Sequence, residues 1–353
     1  MKNGSTYIIF SFLLVCLLSF KTIGQDVHFS QNAAANLYVN PALTGIMDGD
    51  YRGVLVYRNQ WGSVTAGTPF RTIYGSFDMK FRGGSSNNYL GAGLMIYSDQ
   101  AGESNMFSTN HIELSAAYNM SITENGVLSA GLIGGVINQG FSESDAQFGS
   151  QWNGSEPDPT MASGEVLPNT SVFYPTLGAG LMFYSAMDTR TNLYVGGGVY
   201  HINTPTVSFT DVQGRLASKI TAQLGGSYKL NRTIDIVPSA FLFLQGKAFG
   251  TNFGSLVRYV FEDADSYKGA VEKAFGIGAH LRLVGNQDKA VITDAIIFHC
   301  KLDFESFRVG LSYDVNVSAL QVATAKRGGF EVSLTYTAGE RDQRGGRLEC
   351  PKF

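Results

Sequence analysis

Along most of the chain, polar and apolar side chains alternate with a period of two. From Thr72 to Phe81 one face carries Thr72, Tyr74, Ser76, Asp78 and Lys80, and the other Ile73, Gly75, Phe77, Met79 and Phe81. From His111 to Met120, His111, Glu113, Ser115 and Asn119 oppose Ile112, Leu114, Ala116, Tyr118 and Met120. Lys219, Thr221, Gln223, Ser227 and Lys229 oppose Ile220, Ala222, Leu224, Tyr228 and Leu230. Further on, Phe307, Val309, Leu311, Tyr313 and Val315 share one face, and then Phe330, Val332, Leu334 and Tyr336 do. Successive side chains of a strand point to opposite sides, so the pattern predicts strands with one apolar and one polar face.

The alternation predicts about fourteen strands, with about twelve or sixteen as alternatives, each near the roughly ten residues that a tilted membrane-crossing strand needs. They start near Tyr51, Phe70, Tyr89, Phe107, Gly126, Thr176, Asn192, Ala217, Thr233, Ala248, Val271, Ala290, Ser306 and Gly329. With the N-terminus taken as periplasmic, the inner connections include the tight turns Asp188-Thr189-Arg190, Asn231-Arg232 and Asp303-Phe304-Glu305. Outer connections are long from Gly140 to Pro175, Ile202 to Leu216 and Asn316 to Gly328. Short inner turns with long outer loops are the habit of outer-membrane barrels. Two joints run against it, the short outer turn Gln245-Gly246-Lys247 and the long inner stretch from Glu262 to Ala270, and they leave room for a missed strand.

Composition narrows the choice among all-β folds. Only 16% of the 353 residues are charged, while 44% are hydrophobic. A soluble sandwich of this size would carry more Lys and Glu on its solvent faces, whereas here the polar faces are rich in Thr, Ser, Asn and Gly. No fixed short repeat indicates a solenoid. In lipid, only a closed barrel leaves no strand edge unpaired. The expected fold is therefore all-β, a transmembrane antiparallel β-barrel with a periplasmic or lumenal N-terminal segment. Glycines inside strands, as in Gly91-Ala92-Gly93 and Gly196-Gly197-Gly198, are expected where a sheet bends. The formal net charge of -3 without a concentrated basic face speaks against nucleic acid.

The first residues read as a secretory signal: Lys2, a short apolar run from Tyr7 to Phe20, then Thr22-Ile23-Gly24 before Gln25. That run is shorter than the roughly 20 residues of a helical span. The expected organisation is a signal peptide over 1–24, an N-terminal segment over 25–50 and a barrel over 51–340, with a C-terminal periplasmic tail over 341–353. Gln25 to Asp50 does not alternate and carries the apolar anchors Phe29, Tyr38 and Leu43. It is expected to fold into or under the lumen as a plug.

No catalytic constellation stands out, and no cofactor or metal is implied. The acidic clusters Ser142-Glu143-Ser144-Asp145 and Glu262-Asp263-Ala264-Asp265 lack EF-hand spacing. His28, His111, His201, His280 and His299 are scattered, outside any HExxH-type pair. His111, His280 and His299 belong most simply to polar strand faces. Cys300 and Cys350 remain after signal removal, and sequence leaves open whether they pair.

Two segments carry a specific pattern. The first runs His28-Phe29-Ser30-Gln31, then Asn40-Pro41-Ala42 and Thr44-Gly45, then Arg58-Asn59-Gln60-Trp61; the second is Cys350-Pro351-Lys352-Phe353. In their order and spacing they resemble the PorP/SprF family of the type IX secretion system in Bacteroidota. The resemblance implies an integral outer-membrane barrel that works with the secretion or gliding machinery. Family members are often paired with a secreted adhesin and help export it or hold it at the surface, so the implied partners are that adhesin or its C-terminal domain, the machinery itself and outer-membrane lipid. Candidate partner or plug contacts are Phe29, Tyr38, Asn40, Arg58, Asn59 and Trp61. Trp61 also fits an interfacial aromatic belt and Arg58 a lumenal salt bridge. The competing function is an outer-membrane diffusion channel or a hydrophobic-substrate transporter; an outer-membrane enzyme would need a Ser/His/Asp arrangement that the sequence does not assemble.

Overall fold

The computed structural model describes residues 26–62, 69–83, 87–102, 106–142, 148–158, 160–164, 170–209, 214–262, 273–285, 291–319 and 321–339. The signal peptide, most of both acidic clusters, Cys350 and the Cys-Pro-Lys-Phe ending lie outside them. A single turn of helix, α1 (Asn36–Val39), precedes the strands β1 (Tyr51–Gln60), β2 (Phe70–Arg82), β3 (Tyr89–Ala101), β4 (Phe107–Thr123), β5 (Gly126–Phe141), β6 (Ser171–Ala186) and β7 (Thr191–Tyr200). After the short pair β8 (Thr206–Val207) and β9 (Gly214–Arg215) come β10 (Lys219–Lys229), β11 (Ile234–Gln245), β12 (Ala248–Glu262), β13 (Lys273–Gly285), β14 (Val291–Phe304) and β15 (Phe307–Asn316). The chain then forms α2 (Gln321–Thr324) and β16 (Arg327–Ala338).

Fourteen of these strands form one closed barrel, in which sequence neighbours pair antiparallel and β16 returns to β1. Tyr51 lies opposite Ala338 and Gln60 opposite Gly329, so no edge is left open along that joint. Only β8 and β9 stand apart, as a small hairpin in the loop after β7. Among the described residues no helix is long and apolar enough to cross a membrane.

The alternation read from the sequence is the inside–outside alternation of this barrel. Leu114, Leu132 and Phe173 are 68%, 67% and 73% exposed on the outer surface, while Asp78, Asn119 and Glu331 are fully buried within. Such inversion costs free energy in water and is favourable in lipid, where the outer face meets hydrocarbon. Tyr51, Phe81, Phe304, Phe307 and Tyr336 are exposed at one rim, the position of an interfacial aromatic girdle.

That rim is the short-turn end. Asp188 Oδ1 accepts from the backbone N–H of Arg190 and of Thr191, each at 2.7 Å, and Asn231 Oδ1 accepts from Thr233 and Ile234, each at 2.8 Å. These side-chain bonds replace missing ladder bonds and let two strands reverse within a few residues. The Arg190 N–H, with Thr191 behind it, holds the exposed Asp188 carboxyl below the usual carboxylate range.

The expected strand starts correspond one for one to the fourteen barrel strands, and the strands flanking both irregular joints, β11 with β12 and β12 with β13, pair directly with each other; residues 263–270 of the longer joint lie outside the described residues. β6 begins at Ser171, ahead of the expected Thr176. Pro175 lacks the N–H that a ladder uses and reads as a break, yet Ser171 to Tyr174 pair with Gly140 to Ile137 regardless. A second correction concerns the chain start. β1 does begin at the short-turn end, but residue 26 lies at the opposite, long-loop end, where the Asp26 carboxylate meets Lys219 and Gln245 at the limits of β10 and β11.

Candidate functional site

Between those two ends, residues 26–50 run through the barrel lumen. Phe29, Leu37, Asn40, Ala42, Leu43 and Ile46 are all 2% exposed or less. The segment is fixed at three levels, each built from inward-facing polar residues of the strands.

At the long-loop level, Glu331 of β16 accepts from the Ser30 N–H at 2.6 Å and the Gln31 N–H at 2.8 Å, and pairs with Arg58 of β1. Ser30 Oγ donates to Asp314 of β15 at 2.8 Å. Arg282 of β13 donates to the same Asp314 oxygen at 2.8 Å and to Asp294 at 2.8 Å. Ser30 Oγ also accepts from Arg58 at 2.8 Å and from Arg282 at 3.1 Å. Arg58, Arg282, Asp314 and Glu331 are all nearly inaccessible to solvent. Buried charges are tolerated only when partnered in this way, and removing one partner typically costs about 3–5 kcal/mol.

Asp26 forms its own anchor beside this one. Its carboxylate meets Lys219 Nζ at 3.0 Å and His201 Nε2 at 2.9 Å, and His201 Nδ1 shares a hydrogen bond with Thr176 Oγ1 at 2.8 Å. Hydroxyl, imidazole and carboxylate stand in the order of a nucleophilic triad. Thr176 and His201 are buried, however, so the arrangement serves to hold Asp26. Lys219 Nζ also lies 3.5 Å from the centroid of the Tyr38 ring, a cation–π contact.

At mid-lumen the contacts are aromatic and backbone-directed. Phe29 packs edge-on against Tyr38 and Tyr74, with centroids 5.3 and 5.6 Å apart. Tyr200 Oη donates to Leu37 O at 2.6 Å, and Thr221 Oγ1 to Val39 O at 2.7 Å. Asn40 caps the 3-10 turn Pro41–Leu43 by accepting from the Ala42 N–H at 2.9 Å, and donates to Leu181 O of β6 at 3.0 Å. The turn rests directly on strand backbone. A Cβ on Gly131 would lie 2.5 Å from Pro41 C, and one on Gly91 would lie 2.3 Å from Thr44 O. These strand glycines are therefore seats for the lumenal segment, a reason sharper than the expected relief of bending.

At the short-turn level, Arg52 of β1 donates to Ile46 O at 2.8 Å and Leu43 O at 3.0 Å while pairing with Asp78 at 2.7 Å. Asp78 accepts in turn from the Gly45 N–H at 2.8 Å, and Lys80 donates to Met47 O at 2.9 Å.

Four of the six residues singled out from sequence thus meet in the lumen: Phe29, Tyr38, Asn40 and Arg58. The other two do not. Asn59 points away from it, and Trp61, at φ 58° beyond the end of β1, packs edge-on against Phe70 with centroids 5.3 Å apart. Sequence reasoning missed Ser30, Gln31, Arg52, Asp78, Asp314 and Glu331 as anchors. The available signal was a charged residue on the polar face of a strand, which a lumen lined only by water would also carry. His111 faces inward, sharing hydrogen bonds with Tyr97 at 2.6 Å and Glu113 at 2.9 Å. Cys300 sits among the outward positions of β14 and forms no disulfide among the described residues, while Cys350 lies outside them.

A family model described as type IX secretion system membrane protein PorP/SprF matches residues 22–336. Comparison with curated proteins returned no match. Among solved structures, the chain is similar to the Ralstonia pickettii toluene transporter TbuX, at 12% identity and a TM-score of 0.45, over 86% of this chain and 92% of that one. A Pseudomonas aeruginosa FadL homologue gives 12% and 0.45 over 89% and 96%. The P. putida toluene transporter TodX gives 12% and 0.44 over 89% and 95%.

Proposed function

The chain belongs to the PorP/SprF family of type IX secretion system membrane proteins, and on that premise we propose that its barrel docks a secreted adhesin and helps export or anchor it, with the lumen closed by residues 25–50 acting as a plug. The protein is an outer-membrane β-barrel component of type IX secretion. The observation that carries the plug reading is the three-level attachment of residues 26–47 to the barrel wall. A diffusion pore gains nothing from such attachment, whereas a docking platform needs a sealed wall.

Outer-membrane barrels turn their short connections to the periplasm and their long loops outward. In that orientation the described parts of the long connections, 148–158, 160–164, 201–209, 214–218, 317–319 and 321–326, lie on the outer side, where a cargo domain would be held. The outward apolar faces meet outer-membrane lipid. The same docking serves gliding where the held protein is a motility adhesin. The reading gives the barrel no catalytic role.

Affinity purification of the full-length protein from its native outer membrane tests the docking reading. Recovery of the secretion translocon or of one large surface protein is the expected result, and a barrel that purifies alone under gentle extraction would overturn it. Conductance in planar bilayers tests the plug separately. The intact protein is expected to pass no stable large current, while a variant lacking residues 26–47 opens one. A large steady conductance from the intact protein would favour the channel reading instead.

A further inference from the structure

The plug does not fill the lumen evenly. Its α1 and 3-10 turn pack against the β3 to β6 side, whereas on the β10 to β15 side a cavity of about 80 Å³ remains beneath residues 30–33. That volume holds several waters, since one needs roughly 10–15 Å³ by the same measure. Val237, Phe241 and Leu256 give it an apolar wall, and Arg258, Lys301, Asp303 and Arg308 line it toward the short-turn end. The Arg308 side chain is 36% exposed, so solvent reaches that end.

The charges there are unequal. Arg258 donates to Asp303 at 2.8 and 2.9 Å and to Asp235 at 3.1 Å. Arg308 pairs with Asp303 as well. Both carboxylates are thereby engaged by guanidinium groups, and Lys301 has neither a hydrogen bond nor a close ion pair among the described residues. Two imidazoles share the cavity. His280 Nε2 is hydrogen-bonded with Ser239 Oγ at 2.8 Å, while His280 Nδ1 and His299 Nε2 are buried with no partner. Among the described residues three cations stand beside two carboxylates, a balance that disfavours a metal ion. It favours an anion, and the apolar wall favours one with a hydrocarbon body.

We propose that this cavity is a binding site for a small organic carboxylate entering from the short-turn side, with Lys301 Nζ as its charge partner. The site is independent of the docking reading, because it uses neither the long loops nor a protein partner. A carboxylate seated there supplies the acceptor that Lys301 lacks and places its hydrocarbon part on Val237, Phe241 and Leu256.

The test is ligand-observed fluorine NMR with 4-fluorobenzoate, on the purified full-length protein in detergent micelles. Saturable binding is expected, weakened about tenfold or more in Lys301→Met, as loss of one charge-assisted hydrogen bond implies, and retained in Lys301→Arg. Mass spectrometry provides a readout without a variant: acetylation of Lys301 by acetic anhydride should slow when 4-fluorobenzoate is present. This second readout decides the matter if Lys301→Met does not fold. Absence of binding, equal binding by wild type and Lys301→Met, unprotected Lys301, or displacement by inorganic phosphate as effective as by benzoate would each overturn the proposal.

Discussion

The substitution Glu331→Gln should free the long-loop end of the lumenal segment and leave the rest in place. In the wild type one carboxylate accepts two backbone N–H groups, at 2.6 and 2.8 Å, and also pairs with Arg58. The glutamine amide would offer one acceptor oxygen to those three donors and turn its own NH₂ group toward them. Asp314 would then be the remaining anion for Arg58, while already serving Arg282 at 2.8 Å. Breaking a buried pair from one side costs at least about 3 kcal/mol, which raises the open population of residues 26–33 by about a hundredfold. Hydrogen–deuterium exchange read by mass spectrometry measures it directly. Peptides covering 26–33 should exchange about a hundredfold faster. Those covering 43–47 should be unchanged, because Arg52, Asp78 and Lys80 hold them separately. Unchanged exchange at 26–33 would refute the anchoring role of Glu331. Equal acceleration along the whole segment would refute the independence of the levels.

Two further outcomes follow from the packing. Gly131→Val puts side-chain atoms where Pro41 now sits, with Cβ already 2.5 Å from its carbonyl carbon. The barrel should still form, but limited proteolysis should now cleave between residues 34 and 48. Leu114→Arg, at 68% exposure on the outer face of β4, should lower unfolding stability in lipid vesicles by about 2–4 kcal/mol in a denaturant titration, as an Arg at the bilayer midplane does. Stability equal to wild type would place Leu114 outside the hydrocarbon.

The barrel was legible in the sequence because lipid outside and polar groups inside impose one rule on every strand. His111 to Met120 obeys it at every position but Ala117, an apolar residue on the inward face, and the strand count follows from such runs. The rule fails where a residue breaks the ladder without leaving it, as Pro175 does within β6. That residues 26–50 are packed rather than trailing was legible in outline, since Phe29, Tyr38 and Leu43 have no reason to lie in a mobile polar tail, and all three are buried. The anchors were not. The partners Ser30 and Glu331 are 301 residues apart, and no local periodicity links a backbone N–H to a carboxylate on the last strand. The direction of the plug was equally hidden, because it depends on Asp26 finding Lys219 and His201 across the barrel.

The placement of those anchors bears on how the cylinder can open sideways. Its first and last strands meet at a seam, and the lumenal segment latches that seam from within. Ser30 and Gln31 hold β16 through Glu331, Arg58 of β1 grips both Ser30 and Glu331, and the Asp50 N–H donates to Ala338 O at 2.8 Å where the two strands end. Parting β1 from β16 would tear Arg58 from Glu331 and Asp50 from Ala338 along with the ladder. Any lateral gate in this protein must therefore lie at another pair of strands, or wait until the lumenal segment has been withdrawn.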